Sequence, residues 1–131
     1  GKIAANPPDS VFEAENDGWL LCPRSAVKHP KATFAFRVTD DAMAPTIPEG
    51  SLVGVDCSVR DPERLHKSGA KLVAVRDIHQ TCTVRQLVKA EEYWLFLASN
   101  PSDAAPPTVW SEHDGSECPI VGRVLFAVVV S

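Results

Sequence analysis

The sequence predicts a mostly β domain, on three observations. Short stretches in which apolar and polar residues alternate recur along the chain, and this is the period of a half-buried strand. Turn signals separate these stretches, and the chain contains 11 prolines. A single segment carries the start and stop signals of a helix. At 131 residues the chain has room for one domain with its own core, so we expect a single domain over residues 1–131.

The first quarter of the chain is predicted to begin with a short strand over residues 10–15. The turn signal Asn16-Asp17-Gly18 follows this strand. Residues 19–23 are an apolar run that we expect to pack on the core, and residues 25–31 are predicted to be a polar loop.

The central part of the chain is predicted to be strand, loop and strand. Residues 34–39 alternate between apolar and smaller or polar side chains, and residues 51–56 form the second strand. A type I turn is predicted before the second strand, with Pro48 in its second position and Gly50 in its fourth. Residues 40–45 have no regular period. They are therefore predicted to be a surface loop carried on two strands, where functional residues tend to lie.

The one predicted helix follows this unit. Asp61 is a suitable N-cap, Pro62 fits the first helical position, and Gly69 lies beyond the expected end. After the helix, residues 71–76 and 81–88 are predicted to form a β-hairpin.

The last third of the chain is predicted to contain two further strands. Residues 93–98 alternate, and Trp110 is expected to anchor the proline-rich loop that follows them. Residues 124–130 are too apolar for an isolated edge strand. This closing strand is therefore expected to be either central in the sheet or paired across a dimer interface.

Composition excludes several classes of function. The net charge of -4 argues against a nucleic-acid binder acting alone, because such a protein needs a basic surface. No apolar run reaches the ~18 residues of a membrane span. The four cysteines show no C-x-x-C spacing and no histidine at zinc-finger spacing, so we expect reduced thiols in a cytoplasmic protein. No phosphate-binding glycine loop or metal motif is present, and no metal or cofactor is expected.

Two motifs carry a resemblance to a known family. Asp41-Ala42-Met43-Ala44-Pro45, with Pro48-Glu49-Gly50 before an apolar strand, resembles the core motif of the LexA-like, S24-type peptidases, the C-terminal domains of self-cleaving repressors. The family's nucleophilic serine falls on Ala42. The strand around Arg85 resembles the one that carries the family's general base, a lysine, and Arg85 takes its place. A methyl group has no nucleophilic atom, and a guanidinium does not give up its proton near neutral pH.

The resemblance implies a fold, a cleavage segment and partners. The fold would be a twisted, antiparallel and partly open barrel-like sheet. Residues 1–8 resemble the family's cleavage region, with the Ala5–Asn6 bond at the position of the cut. Asp41 and Met43 would line the former catalytic cleft. Family members form homodimers and bind operator DNA through an N-terminal helix-turn-helix domain. We expect that domain to be missing here, because the chain starts at Gly1 without a methionine.

Three functions from different classes remain open on the sequence alone. The first is a catalytically inactive S24-like domain that serves as the dimerising or sensing half of a transcriptional regulator. The second is an active self-cleaving repressor in which alanine replaced the serine at position 42. The third is a stand-alone binding module. Arg85 favours the first, because a second loss at the base is hard to explain by one deliberate substitution. The operator and any inducer or co-regulator are not identified by the sequence.

Overall fold

The structure is a computed structural model and describes residues 9–14, 18–23, 27–77, 80–102 and 107–129. For residues before Val27 it describes the backbone alone. Nine strands form one sheet in the order β2-β1-β3-β4-β9-β5-β6-β7-β8. Their bounds are β1 Asp9–Ala14, β2 Gly18–Pro23, β3 Thr33–Arg37, β4 Leu52–Asp56, β5 Leu72–Arg76, β6 Cys82–Ala90, β7 Tyr93–Leu97, β8 Thr108–Trp110 and β9 Ile120–Val128.

The pairing of these strands confirms the predicted mostly β, antiparallel fold. Neighbours in the sheet run antiparallel except β1 and β3, which share one parallel pair, Ala14 with Ala35. The strand predicted over residues 10–15 is β1, and the apolar run after it is β2. Most of the turn predicted between them lies outside the described residues. The three-residue β8 follows the predicted proline-rich loop and was not predicted as a strand.

The predicted helix is also confirmed. Helix α1 spans Pro62–Lys67, and the Asp61 carboxylate accepts a hydrogen bond from the Arg64 backbone N–H at 3.1 Å. Gly69, just beyond the end, has φ of +87°, the left-handed conformation that glycine adopts without a steric penalty. Single 3₁₀ turns occur at Pro30–Ala32 and Glu112–Asp114. Among the described residues, no helix has the length and apolar character needed to cross a membrane.

The closing strand β9 is central in the sheet, which was one of the two positions predicted for it. It pairs with β4 on one side and with β5 on the other. The register skips Leu125 where β9 pairs with β4 and Val121 where it pairs with β5. Such bulges break the alternation of faces along a strand, which explains why this run shows no polar face in the sequence.

The two sides of β9 are paired to different extents. Its pairs with β4 continue to Leu52–Val128, whereas its pairs with β5 stop at Val73–Arg123. Within the described part of the chain, residues 124–128 are therefore paired on one side. We call the unpaired side of residues 124–128 the open edge.

Among the described residues, the two largest apolar clusters form cores on opposite faces of the sheet. Successive strand residues point to opposite faces, so Ala74 belongs to one core while its neighbours Val73 and Val75 belong to the other. The first core contains Phe36, Val38, Met43, Ile47, Val53, Val55, Ala74, Val84 and Val121. The second core contains Leu65, Ala70, Val73, Val75, Leu87, Trp94, Phe96 and Ile120.

Candidate functional site

The candidate site is built on the loop between β3 and β4. Backbone bonds between Val38 and Ser51 (2.8 Å) and between Gly50 and Val38 (2.8 Å) close the neck of this loop. Within the loop the Ala44–Pro45 peptide bond is cis. The turn before β4 lies one residue later than predicted. The Ser51 N–H donates to the Pro48 carbonyl at 3.1 Å, which puts Gly50, with φ of +92°, in the third position that a type II turn requires.

The sequence predicted a surface loop over residues 40–45. The structure shows instead that this loop is anchored in the protein by buried side chains. Ala42, Met43 and Ile47 are each no more than 3% exposed, and the latter two belong to the first core. Because the period of a strand or helix is absent here, this burial could not be predicted from the local sequence. Three buried side chains in one short loop hold its backbone in place, so position 42 is rigidly oriented.

Ala42 is fixed by hydrogen bonds on both sides of its backbone. Its carbonyl accepts from the N–H groups of Ser99, at 2.9 Å, and Asn100, at 2.8 Å. The Asn100 side-chain amide donates to the Asp41 carbonyl at 2.8 Å. The Ala42 N–H donates to the Asp40 carboxylate at 3.3 Å. The segment after β7 therefore clamps the loop from one side, and Asp40 holds it from the other.

Arg85, in β6, reaches the same carboxylate. Its Nη2 lies 3.2 Å from Asp40 Oδ2, and its Nη1 donates to the Val84 carbonyl at 2.7 Å. The side chains of this ion pair are 21% and 32% exposed. One oxygen of Asp40 thus contacts the Ala42 backbone and the other contacts Arg85. The carboxylate partner of Arg85 is thus Asp40, whereas the side chain of the neighbouring Asp41 is exposed.

The chemistry of this arrangement follows from its side chains. Position 42 offers no nucleophile, and the guanidinium of Arg85 is a permanent cation that cannot accept a proton. What Arg85 does offer is a set of directed N–H donors, of which Nη1 and Nη2 each make a bond within the protein. The ion pair therefore ties β6 to the loop.

Arg85 also lines a large cleft of about 710 Å³. The side chains that line it include Phe96 and Trp110. Arg60 and Arg76 contribute two further guanidinium groups to this lining. The described side chains around this cleft do not include the other predicted site residues. Asp41 is exposed on the loop, and Ala42 and Met43 are buried at 2% exposure.

Other reactive groups of the described residues do not supply a substitute site. Burial raises the pKa of the thiols of Cys57 and Cys118 above the ordinary value of a cysteine. Both thiols therefore stay protonated near neutral pH and are poor nucleophiles. No group of three potential metal ligands occurs among the residues that the structure describes. The segment over residues 1–8, with the Ala5–Asn6 bond, lies outside the described residues, and its role as a cleavage segment stays a prediction.

Comparison with protein families identifies the family of this chain. A family model described as Peptidase S24-like matches residues 1–125. No curated protein matches the chain.

Proposed function

Because this chain belongs to the peptidase S24-like family, we propose that it is a regulatory domain that has lost peptidase activity, from a LexA-like or phage-repressor-like transcriptional regulator. The observation that carries the proposal is the tie between Arg85 and Asp40 beside Ala42. In this proposal Ala42 and Arg85 occupy the positions of the family's serine and lysine.

Loss of catalysis follows from the two side chains together. An acyl-transfer reaction needs a nucleophile and a neighbour that takes its proton. Position 42 lacks the first, and Arg85 cannot act as the second, because a guanidinium is not deprotonated in proteins. A peptidase disabled by one deliberate alanine substitution would be expected to keep its lysine, which argues for the inactive domain.

Dimerisation is the function that we propose the domain retains. The open edge of β9 leaves backbone donors and acceptors of residues 124–128 without a strand partner in the described part of the chain. Val128 and Val129, at its end, are 36% and 57% exposed. Two copies related by a two-fold axis would cover this edge and these side chains with an isologous interface.

Operator binding belongs to another part of the full protein in this proposal. The net charge of -4 argues against DNA binding by this chain alone, because the DNA backbone is negatively charged. We propose that an N-terminal helix-turn-helix domain reads the operator in the cytoplasm. The two-fold symmetry of the dimer would then match the symmetry of a palindromic site.

Sedimentation of the Val128→Asp variant tests the dimer. We expect the wild-type chain to sediment as a dimer at micromolar concentration and the variant as a folded monomer, because the open edge would carry a buried, unpaired charge in the dimer. Val109→Asp is the matched control, since Val109 is 49% exposed on β8, away from the open edge. A wild-type chain that stays monomeric well above micromolar concentration would contradict the dimer.

Mass spectrometry tests the loss of activity. Alkaline pH favours any residual general base, so the chain is incubated there for hours and its intact mass is followed. We expect a single unchanged mass. Appearance of the two fragments expected from cleavage between Ala5 and Asn6 would overturn the proposal that the domain is inactive.

A further inference from the structure

A second, smaller cleft of about 390 Å³ lies between α1, β9 and the segment before the first 3₁₀ turn. None of the side chains around it belongs to the large cleft that contains Arg85. Leu65, at 3% exposure, and Asp56, at 9%, are its most buried residues. We call it the small cleft. Its volume lies within the range of small-molecule sites and is too small for a folded partner.

Positive charge is concentrated around the small cleft. Lys28, Arg64 and Arg123 line it together with His29, against one carboxylate, that of Asp56. With the histidine neutral, three cations and one anion leave a formal charge of +2, in a chain whose net charge is -4. The cleft is therefore a positive site on an otherwise acidic protein, and such a site attracts anions.

Within the part of the chain that the structure describes, no carboxylate neutralises these cations. Among the described residues, Lys28 and Arg64 form no ion pair and no side-chain hydrogen bond. Arg123 Nη1 has only a long contact of 3.4 Å to the Ser68 hydroxyl. The Asp56 carboxylate accepts the Ser58 backbone N–H at 2.8 Å and forms no salt bridge with them. Donors of two guanidinium groups and one ammonium group thus remain available to a ligand.

We propose that the small cleft binds a phosphomonoester of a small, hydroxyl-bearing molecule, such as a sugar phosphate. A phosphomonoester carries a charge of about -1.5 to -2 near pH 7, which matches the formal charge of the cleft. The guanidinium groups of Arg64 and Arg123 have the planar fork that binds phosphate oxygens in pairs. Asp56 repels phosphate but accepts hydrogen bonds from hydroxyl groups, so it is suited to the rest of the ligand.

Calorimetric titration with ribose 5-phosphate tests the proposal, with ribose and inorganic phosphate titrated in parallel. We expect ribose 5-phosphate to bind, ribose not to bind measurably and inorganic phosphate to bind more weakly than the sugar phosphate. Arg64→Gln and Lys28→Gln, both at exposed positions, should each raise the Kd at least about 10-fold, because each removes a charged donor. Arg60→Gln, in the large cleft, is the matched control and should change the Kd less than about 2-fold.

The outcomes separate the parts of the proposal. No binding of ribose 5-phosphate at millimolar concentration would overturn it, as would equal Kd values for the wild type and the two small-cleft variants. Binding of inorganic phosphate as tight as that of the sugar phosphate would overturn the part assigned to Asp56. Far-ultraviolet circular dichroism checks that each variant is folded. None of these results depends on whether the domain cleaves itself. Val124 and Leu125 line the small cleft and also belong to the open edge, so the titrations are compared at one protein concentration throughout.

Discussion

The two clefts are lined by similar numbers of cationic side chains, but these side chains differ in how far they are bonded within the protein. In the large cleft, Arg85 is bound to Asp40 and to a carbonyl, and Arg76 donates to the Gln80 carbonyl at 3.1 Å. In the small cleft, Lys28 and Arg64 have no such partners within the described residues. Guanidinium groups that are already bonded to the protein hold the fold together, whereas free ones can bind a ligand.

The difference shows that the number of basic residues is a poor guide to a binding site. Asp77 and Glu117 also line the large cleft, so its three arginines face two carboxylates in addition to Asp40. The small cleft has one carboxylate against three cations. An anion would be attracted to the cleft whose cations are not neutralised by nearby carboxylates, and the number of cations matters less.

The largest effect is expected from restoring a serine at position 42 together with a lysine at position 85. Ala42→Ser alone should remain intact, because the new hydroxyl has no neighbour that can take its proton. Ala42→Ser combined with Arg85→Lys should cleave between Ala5 and Asn6 at least about 100-fold faster than the single variant, since a positioned general base contributes a factor of this order. The measurement is intact mass over time. Efficient cleavage by the single variant would show that Arg85 is not at the position of the base.

A methyl group added at Gly122 is expected to disturb the wall of the small cleft. A Cβ there would overlap the backbone carbonyl of Asp56, which cannot move without breaking the pairing of β4 with β9. We expect Gly122→Ala to lower the free energy of unfolding by about 1–3 kcal/mol, measured by urea denaturation. Gly54→Ala is the matched comparison, because its Cβ would meet only the tip of the Phe126 ring, which can shift. Equal losses for the two variants would contradict this reasoning.

Removal of the Asp40 carboxylate tests whether it ties the loop to β6. Asp40→Ala takes away the partner of Arg85 and of the Ala42 N–H, so we expect a loss of about 1 kcal/mol in the free energy of unfolding. Asp41→Ala should change it by less than about 0.5 kcal/mol, because the Asp41 side chain is exposed and its backbone contact with Asn100 is kept. A larger loss in the free energy of unfolding for Asp41→Ala than for Asp40→Ala would show that Asp41, not Asp40, connects the loop to β6.

The smallest effect is expected at Glu63, on the helix that borders the small cleft. The hydrogen bond from Lys89, at 2.8 Å, lowers the pKa of Glu63 below its ordinary value of 4.5. A carboxyl whose pKa is lowered on folding stabilises the protein above its unfolded pKa and loses that contribution as the pH falls through its folded pKa. Glu63→Gln should therefore slightly lower the urea midpoint at neutral pH, and the difference should vanish in acid.

Glu92→Gln is the control for this pair, since Glu92 is exposed and makes none of the described ion pairs. Glu63 does not line the small cleft, so Glu63→Gln should leave the binding of ribose 5-phosphate unchanged. A difference between Glu63→Gln and the wild type that persists unchanged in acid would contradict the assigned pKa direction.

Local signals predicted much of the fold. The cap of α1 lies within a few residues of the helix it starts, and the alternation of β3 and β7 is visible over five residues each. The sequence did not predict β8, because three residues are too few to show a period. The position of the turn before β4 was wrong by one residue, since the Gly50 N–H bonds across the neck of the loop to Val38.

The candidate sites were harder to predict because their parts are distant in the chain. The motif singled out Ala42 and Arg85, but adjacent aspartates in a loop without a period give no sign that Asp40 is the one that meets Arg85. Burial of Met43 depends on how the whole loop folds onto the first core. The small cleft was missed altogether, because its cations come from three separate segments and form no motif.

The bulge at Leu125 has a consequence for how the protein behaves at high concentration. An unpaired apolar strand edge is a template on which further chains can stack into fibrils, and such stacking needs about six or seven residues in unbroken register. The register with β4 skips Leu125, so only residues 126–128 of the open edge continue without interruption. The open edge has five residues, already fewer than a fibril needs, and the bulge shortens its unbroken part to three. If the proposed dimer forms at this edge, the irregularity in β9 therefore works against further growth into a filament.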